Sequence, residues 1–441
     1  MPASAQVNAA GHLVIGGCDT VALAEKFGTP LWVVDELTIQ NAIEACRLGV
    51  SDYPKAQIVY AGKAFLCMAM CHLLKAAAVG LDVVSLGELQ TAIAAGFPAN
   101  QILHHGNNKS AAEIETSLDY GPVRIVVDNY SELEMLAAIA RKLGRRANLL
   151  FRVIPGVEPD THDHIKTGHH ESKFGIQLSE VDHFIDYVKR FPRELNLLGL
   201  HVHIGSQTHD LSPYFEVIEI LAKCLAQIKA KHGLLLEQLD LGGGLGIAYS
   251  ENDDTTPLYD WARKLSERVK QAFDNGGLPL PTLILEPGRS LIGSAGVTLY
   301  RVGHTKTLAN RQICIAVDGG MADNPRPITY QALYTASVAN RMKAQKPKEM
   351  ATIAGKYCEQ GDIIIKEAQI AADTGDLIAV FGTGAYNYSM SSNYNRTARP
   401  ACILVIDGKA ETILERESKE DLLSKDRVPE RFLVSSSIPP P

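Results

Sequence analysis

The chain has 441 residues, 46% of them apolar and 21% charged, enough to bury a large core in one or two domains. Its net charge of −7 and the lack of a basic run argue against nucleic acid or an anionic membrane surface as a partner. No stretch reaches the roughly 18 consecutive apolar residues of a membrane span, and MPASAQVNAAGHLVIGG lacks the basic-then-apolar pattern of an export signal, so the expected location is cytoplasmic.

Residues 1–39 include a strand-like GHLVIGG and are expected to pack with a β domain further along the chain. From 40 to 295, short β-branched runs alternate with amphipathic helical stretches. The strand candidates are QIVYA, LDVVS, QILHHG, VRIVVD, NLLFRV, LGLHVHIG, LEQLDLGGG and TLILEPG. Helical periodicity fills the gaps, as in GELQTAIAAG, SELEMLAAIARKLG, YFEVIEILAKCLAQIKAKHG and YDWARKLSERVKQAFDNG. Eight such repeats between residues 57 and 286 match the count and length of an α/β (β/α)8 TIM barrel. A doubly wound open sheet shares the same periodicity. On the first predicted helix Cys67 and Cys71 lie four apart beside His72, a spacing open to a metal but simpler as small buried packing. The eight cysteines show no disulfide framework, which suits a reducing compartment.

Beyond residue 295 the pattern turns to strands: VTLYRVGHTKTL, RQICIAVDGG, MATIAGKYC, DIIIKEAQI, DLIAVFG and ACILVIDG. Only YQALYTASVANRMKAQ reads as a substantial helix. Residues 296–432 are therefore expected to form a C-terminal β-rich domain, sandwich- or barrel-like. Residues 433–441, ending SSSIPPP, are expected to be a disordered tail.

In a barrel of this type chemistry gathers where the strands end, and the intervening helices put all eight ends on one rim. Those ends carry, in order, Lys63, Asp82 with Ser85, His104 with His105, Asp128, Arg152, His201 with His203, Gly242–Gly243–Gly244, and Glu286 in EPGR. Each alone is an ordinary polar turn. Together they constrain the chemistry. LGGGLG offers consecutive unobstructed backbone N–H groups suited to phosphate, although a tight turn needs no other reason. EPGR sets a carboxylate three residues from Arg289, which either pair internally or grip a ligand's phosphate or carboxylate. A lysine, a phosphate nest and a carboxylate suit pyridoxal 5'-phosphate, whose aldehyde needs an amine and whose ring nitrogen needs an acid group.

The motifs VYAGKAF, DVVSLGEL, ILHHGNNK, TGHHESKFG, GLHVHIGSQ, LDLGGGLG, LEPGR, KYCEQGD and GAYNYSMSSNYN run in one order along nearly the whole chain. In this the chain resembles the diaminopimelate decarboxylase family, pyridoxal-phosphate enzymes of the fold-type III, alanine-racemase-like class. The resemblance implies a Schiff base on Lys63, His203 stacked on the cofactor face, and Ser206 with Gly242, Gly243 and Gly244 at the phosphate. Asp82, Gly288, Arg289 and Tyr386 complete the implied cofactor contacts. Glu286 is the implied partner of the ring nitrogen. Alanine racemases of this fold carry an arginine there, and a carboxylate favours decarboxylation.

For the substrate, the resemblance implies carboxylate contacts from Arg289, Arg326 and Tyr330, a further substrate contact from Tyr386, and Glu359 meeting a distal ammonium. Cys358 is the implied proton donor after CO2 loss. In the family the CE segment comes from the partner subunit, which implies a homodimer with shared sites. The histidine-rich THDHIKTGHHESK is the family's flap, and Lys173 is read as a further interfacial ion-pair residue. Two departures stand out: RVIPG, with Ile154 where the family has asparagine, and DGGM followed by ADNPRP in place of DAGM and a shorter link.

The expected reaction is decarboxylation of meso-2,6-diaminopimelate to L-lysine and CO2, with no metal. A same-fold decarboxylase of ornithine, arginine or a carboxylated polyamine is the near alternative, though such substrates lack a distal α-carboxylate for Arg289 and Arg326. A metal hydrolase could use the HVH pair, but such enzymes carry it on the first barrel strand. A binding protein that has lost catalysis has no need to keep Lys63, Cys358 and Glu359 together.

Overall fold

A computed structural model describes residues 1–156, 172–250, 253–309, 311–343 and 349–433. Most of the histidine-rich stretch after residue 160, and the tail from 434, lie outside the described residues. Eight parallel strands form the barrel: β1 (Ala56–Ala61), β2 (Gly80–Val83), β3 (Ile102–His104), β4 (Arg124–Val127), β5 (Ala147–Ile154), β6 (Leu195–His201), β7 (Gln238–Asp240) and β8 (Thr282–Leu285). Leu283–Leu285 of β8 pair with Ala56–Ile58 of β1 and close the ring. The closed ring removes the open-sheet alternative. All eight predicted strands are present.

The period of two along each strand sorts side chains into layers. Val59, Leu103, Val126 and Ile284 point inward and form a buried apolar layer across the barrel. Outward residues such as Leu81, Ile125 and Leu149 join the helices in the main core. The helices start where their sequences say they should. Ser85 accepts the Glu88 N–H at the head of Leu86–Ala94, and Ser110 and Glu113 cap each other at the head of Ala111–Tyr120. The hydroxyl of Ser85, read as a candidate strand-end group, is thus taken by a helix cap.

The second unit is a nine-stranded mixed sheet organised on the long strand Gly296–Thr307. Its first half pairs with Leu31–Asp35 on one side and Leu377–Phe381 on the other, and its second half with Ile313–Val317. The strand predicted in GHLVIGG forms at Leu13–Ile15, but in a separate three-stranded sheet with Gln6–Val7 and Cys18–Asp19. Its Leu13 and Ile15 pack on Leu31, Val297 and Ile403 of the large sheet. Leu31–Asp35, five buried residues from the same N-terminal segment, enters the sheet itself.

The predicted helix over YQALYTASVANRMKAQ does not form. A short helix, Arg326–Tyr330, stops where Gln331 turns left-handed at φ 52°, and Ala336–Val338 then pairs antiparallel with Leu377–Phe381. A paired strand wins over a weak helical period. Among the described residues no helix is long and apolar enough to cross a membrane.

Candidate active site

Glycines bring the strand ends close enough to make a shared mouth. A Cβ on Gly243 would lie 2.1 Å from the Glu286 carbonyl oxygen, and one on Gly288 would lie 2.9 Å from the Ala61 Cβ. Gly242 and Gly244 have φ of 64° and 112°, and a Cβ on either would strike the backbone of the segment after β6. The Gly242 carbonyl accepts the Glu286 N–H (2.8 Å), and the Gly243 carbonyl accepts the Tyr214 hydroxyl (2.7 Å). Among the described residues the N–H groups of Gly243 and Gly244 have no protein acceptor. This is a tightly packed cradle with two unused donors, rather than a loose turn.

Lys63 sits on a 3-10 turn, Gly62–Ala64, directly after β1. The Ala64 carbonyl accepts the Tyr386 N–H (2.8 Å) and the Ser389 hydroxyl (3.1 Å), so the lysine turn is tied to the GAY segment of the β unit. Lys63 thus stands at the C-terminal end of β1, and its charge acts on Asp82, Glu88 and His203. Burial first, then the Lys63 and Arg152 charges, hold His203 well below its usual pKa, leaving a neutral imidazole.

At the floor of the mouth stands Glu286, 5% exposed. His105 Nε2–H donates to Oε1 (2.8 Å) and His201 Nε2–H to Oε2 (3.3 Å), since an ionised carboxylate only accepts. Burial pushes the Glu286 carboxyl up, but the charge and hydrogen bond of His105 and the bond from His201 outweigh it, and the net direction is strongly downward. Burial drives His201 to about 3, so it donates as a neutral ring. Its two buried neighbours go the other way. Burial raises Asp82, whose Oδ1 is 3.8 Å from His105 Nε2, and burial with the Glu286 charge raises Asp240. Of these three carboxyls Glu286 is the one whose pKa is driven down rather than up.

His105, His201 and Glu286 have ligand atoms within 4.8 Å of one another, a set a metal could also use. His203, the second histidine of HVH, is not in that set. The adjacent histidines after β3 also separate: His105 serves Glu286, whereas His104 turns outward to Ser117 Oγ (2.8 Å). Burial lowers His104 to about 3. Its unfolded value is about 6.5, so between those limits the unfolded chain binds the extra proton and stability is lost as the pH falls. His104→Asn should therefore lose less stability than the parent between pH 7 and pH 5, by about 2 kcal/mol at pH 5. Parallel denaturant titrations check this, and equal losses in the two proteins would contradict it.

One wall of the mouth is cationic. Arg289 donates from Nη1 to the Tyr249 hydroxyl (2.7 Å) and from Nη2 to Ser206 Oγ (3.0 Å), with its guanidinium 4.8 Å from the Tyr386 ring centre. Arg326 Nη1 donates to the same Tyr249 hydroxyl (2.7 Å) and to Tyr334 (2.9 Å). Tyr334 leads on to Asn387, which bonds Asn324. Two arginines thus share one phenol, with no carboxylate neutralising either among the described residues. The internal Glu286–Arg289 pair considered from EPGR is not made, because Glu286 is occupied by its histidines.

Tyr330 stands apart, 37% exposed at the end of its helix, while Tyr334 four residues on makes the arginine contact. Cys358 and Glu359 are also outward: the Cys358 N–H donates to Asn395 Oδ1 (3.2 Å), and Glu359 accepts the Tyr394 hydroxyl. Lys173 lies over Phe174 (4.9 Å), and Ile154 is buried against Gly175. Sequence reasoning missed Tyr249, Tyr334, Asn387 and Asp240. Tyr249 and Asp240 flank the glycine run, but nothing local marks the others.

These residues fit pyridoxal phosphate. The cradle has two N–H groups without an acceptor, a lysine follows the end of β1, and an anionic carboxylate is held by two histidines at the strand ends. Asp82 Oδ1, Asp240 Oδ2 and Arg289 Nε are buried polar atoms left without a partner. Residues 39–293 match the family model described as pyridoxal-dependent decarboxylase, pyridoxal binding domain. The chain is 44% identical to the diaminopimelate decarboxylase of Synechocystis sp., over 98% of this chain and 94% of that one. It is 43% identical to that of Bacillus subtilis, over 95% and 96%. The structure of the M. jannaschii enzyme in complex with L-lysine superposes with a TM-score of 0.90 at 33% identity, covering 98% of this chain and 100% of that one. Fold, site chemistry and full-length similarity agree, and the chain belongs to the diaminopimelate decarboxylase family of pyridoxal-phosphate-dependent enzymes.

Proposed function

We propose that the protein removes the carboxylate at the D-configured centre of meso-2,6-diaminopimelate, releasing CO2 and L-lysine. The observation that carries the substrate choice is the Arg289–Tyr249–Arg326 group, a cationic wall without a countercharge among the described residues. A substrate with a second amino-acid end supplies that countercharge bidentately, whereas ornithine leaves the guanidiniums unmatched. Supplied singly with diaminopimelate, ornithine and arginine, the protein should release CO2 from the first, and turnover of ornithine alone would overturn the choice.

When bound, pyridoxal phosphate supplies an electron sink for the carbon that loses CO2. Lys63 would hold its aldehyde, and the glycine cradle with Ser206 would hold its phosphate. Neutral His203 would lie beside the ring, and Glu286, fixed by His105 and His201, would supply the charged partner of the ring nitrogen. Tyr386, set by its bond to Ala64 and lying under Arg289, borders both cofactor and substrate.

The remaining step is protonation of the decarboxylated carbon. Cys358 is the proposed donor, with Glu359 beside it receiving the substrate's distal ammonium. Both are exposed in the single chain and held by Asn395 and Tyr394, a placement suited to delivery into a second copy's site. The active form is then a homodimer. Mixing Lys63→Ala and Cys358→Ala subunits should restore about a quarter of wild-type activity, since half the dimers are mixed and each has one intact site of two. No recovery would contradict shared sites. All eight cysteines are free, in keeping with a cytoplasmic setting.

A further inference from the structure

The barrel has a second polar end. Period-two alternation stacks three levels on the same strands: Gln57, Val59 and Ala61 on β1, and Arg124, Val126 and then Asp128 along β4. The upper level is the active site, and the middle level is the apolar layer of Val59, Leu103, Val126 and Ile284. Below that layer Arg124, 4% exposed, projects among strand starts rather than strand ends.

Its direct partners do not neutralise it, and burial outweighs the more distant charges of Asp240 and Glu286. Arg124 Nη1 donates to Gln57 Oε1 (3.0 Å) and Gln238 Oε1 (3.3 Å), both uncharged acceptors. Nε has no partner, and among the described residues no carboxylate lies within ion-pair distance. A guanidinium taken out of water without a countercharge is costly. Arg124 lines a cavity of about 330 Å³ that also includes Gln57, Asn100, Gln101 and Arg47, and no acidic side chain. Arg47 is paired with Glu44 (3.0 Å), so the guanidinium without an ion-pair partner in this cavity is that of Arg124. Gln101 Oε1 is buried without a donor, and a half-turn of this amide would present its NH2 group instead.

We propose that the N-terminal mouth of the barrel binds a small oxyanion, carboxylate or phosphate, against Arg124 and Gln101, apart from the active site. The apolar layer separates the two ends sterically while the Asp240 and Glu286 carboxyls still act on Arg124 through it, so this ligand would be an effector or a structural ion rather than a substrate. The proposal does not depend on which amino acid the upper site decarboxylates.

The test uses the pyridoxal-phosphate-loaded protein at fixed ionic strength, with chloride exchanged for inorganic phosphate or for acetate. The thermal midpoint should rise by about 2 °C or more at saturation, because a ligand bound only to the folded state stabilises it. A rise with phosphate alone identifies a phosphate site, and a rise with both anions identifies a general oxyanion site. Arg124→Gln should abolish the rise. Because that variant could fail to fold, Gln101→Leu should diminish it independently, and selenate soaked into wild-type crystals should give an anomalous peak beside Arg124. No rise in the wild type, a rise unchanged in the variants, or selenate found only at the upper mouth would each overturn the proposal.

Discussion

Lys63→Ala is expected to yield a folded protein without measurable decarboxylation and without the near-visible absorbance of lysine-bound pyridoxal. Lys63 sits on a turn whose neighbours Gly62 and Ala64 are fixed by packing on β2 and by the Tyr386 and Ser389 bonds to the Ala64 carbonyl. Those bonds use the backbone, so truncating the lysine side chain leaves the turn intact, and the thermal midpoint should change little. Among the described residues the other cations placed at the mouth, Arg152 and Arg289, are guanidiniums that do not condense with an aldehyde at neutral pH. Activity retained in the variant would contradict the assignment of Lys63.

The second large effect is expected at Glu286. Glu286→Gln keeps the shape of the floor and leaves an acceptor for one histidine, but removes the anion that His105 and His201 jointly stabilise. Cofactor binding should survive, because the cradle and Lys63 are untouched. The ring nitrogen loses its charged partner, and kcat should fall by on the order of 10²–10³ while KM moves far less. The split is the informative part. A decrease of less than about tenfold, roughly 1.4 kcal/mol, would show that Glu286 is not the electrostatic partner.

The sequence conveyed the barrel because each of its signals is local. Fully buried parallel strands read as short β-branched runs, and the helix heads carry their caps in plain view at Ser85 and Ser110. The rim residues were legible for the same reason, since a strand end announces its own position. Contacts that join distant segments were not. His105 reaches Glu286 across 181 residues, and Tyr249 bridges arginines 40 and 77 residues away. Period-two alternation carries Leu103 inward, His104 outward and His105 inward, but ILHHG alone does not say which face of β3 is the inner one.

The β unit was harder to read in one place for a physical reason. YQALYTASVANRMKAQ has apolar residues at helical spacing, yet Ala336–Val338 gains a ladder with Leu377–Phe381 that an isolated helix could not match. That pairing carries Tyr334 to Arg326, so the misread helix and the overlooked tyrosine have one cause.

The account stands on the covalent link between Lys63 and the cofactor. Purified protein saturated with pyridoxal 5'-phosphate, reduced with borohydride and digested, should carry the phosphopyridoxyl group on the single peptide that contains Lys63. An unlabelled Lys63 peptide, or a label confined to other lysines, would contradict it.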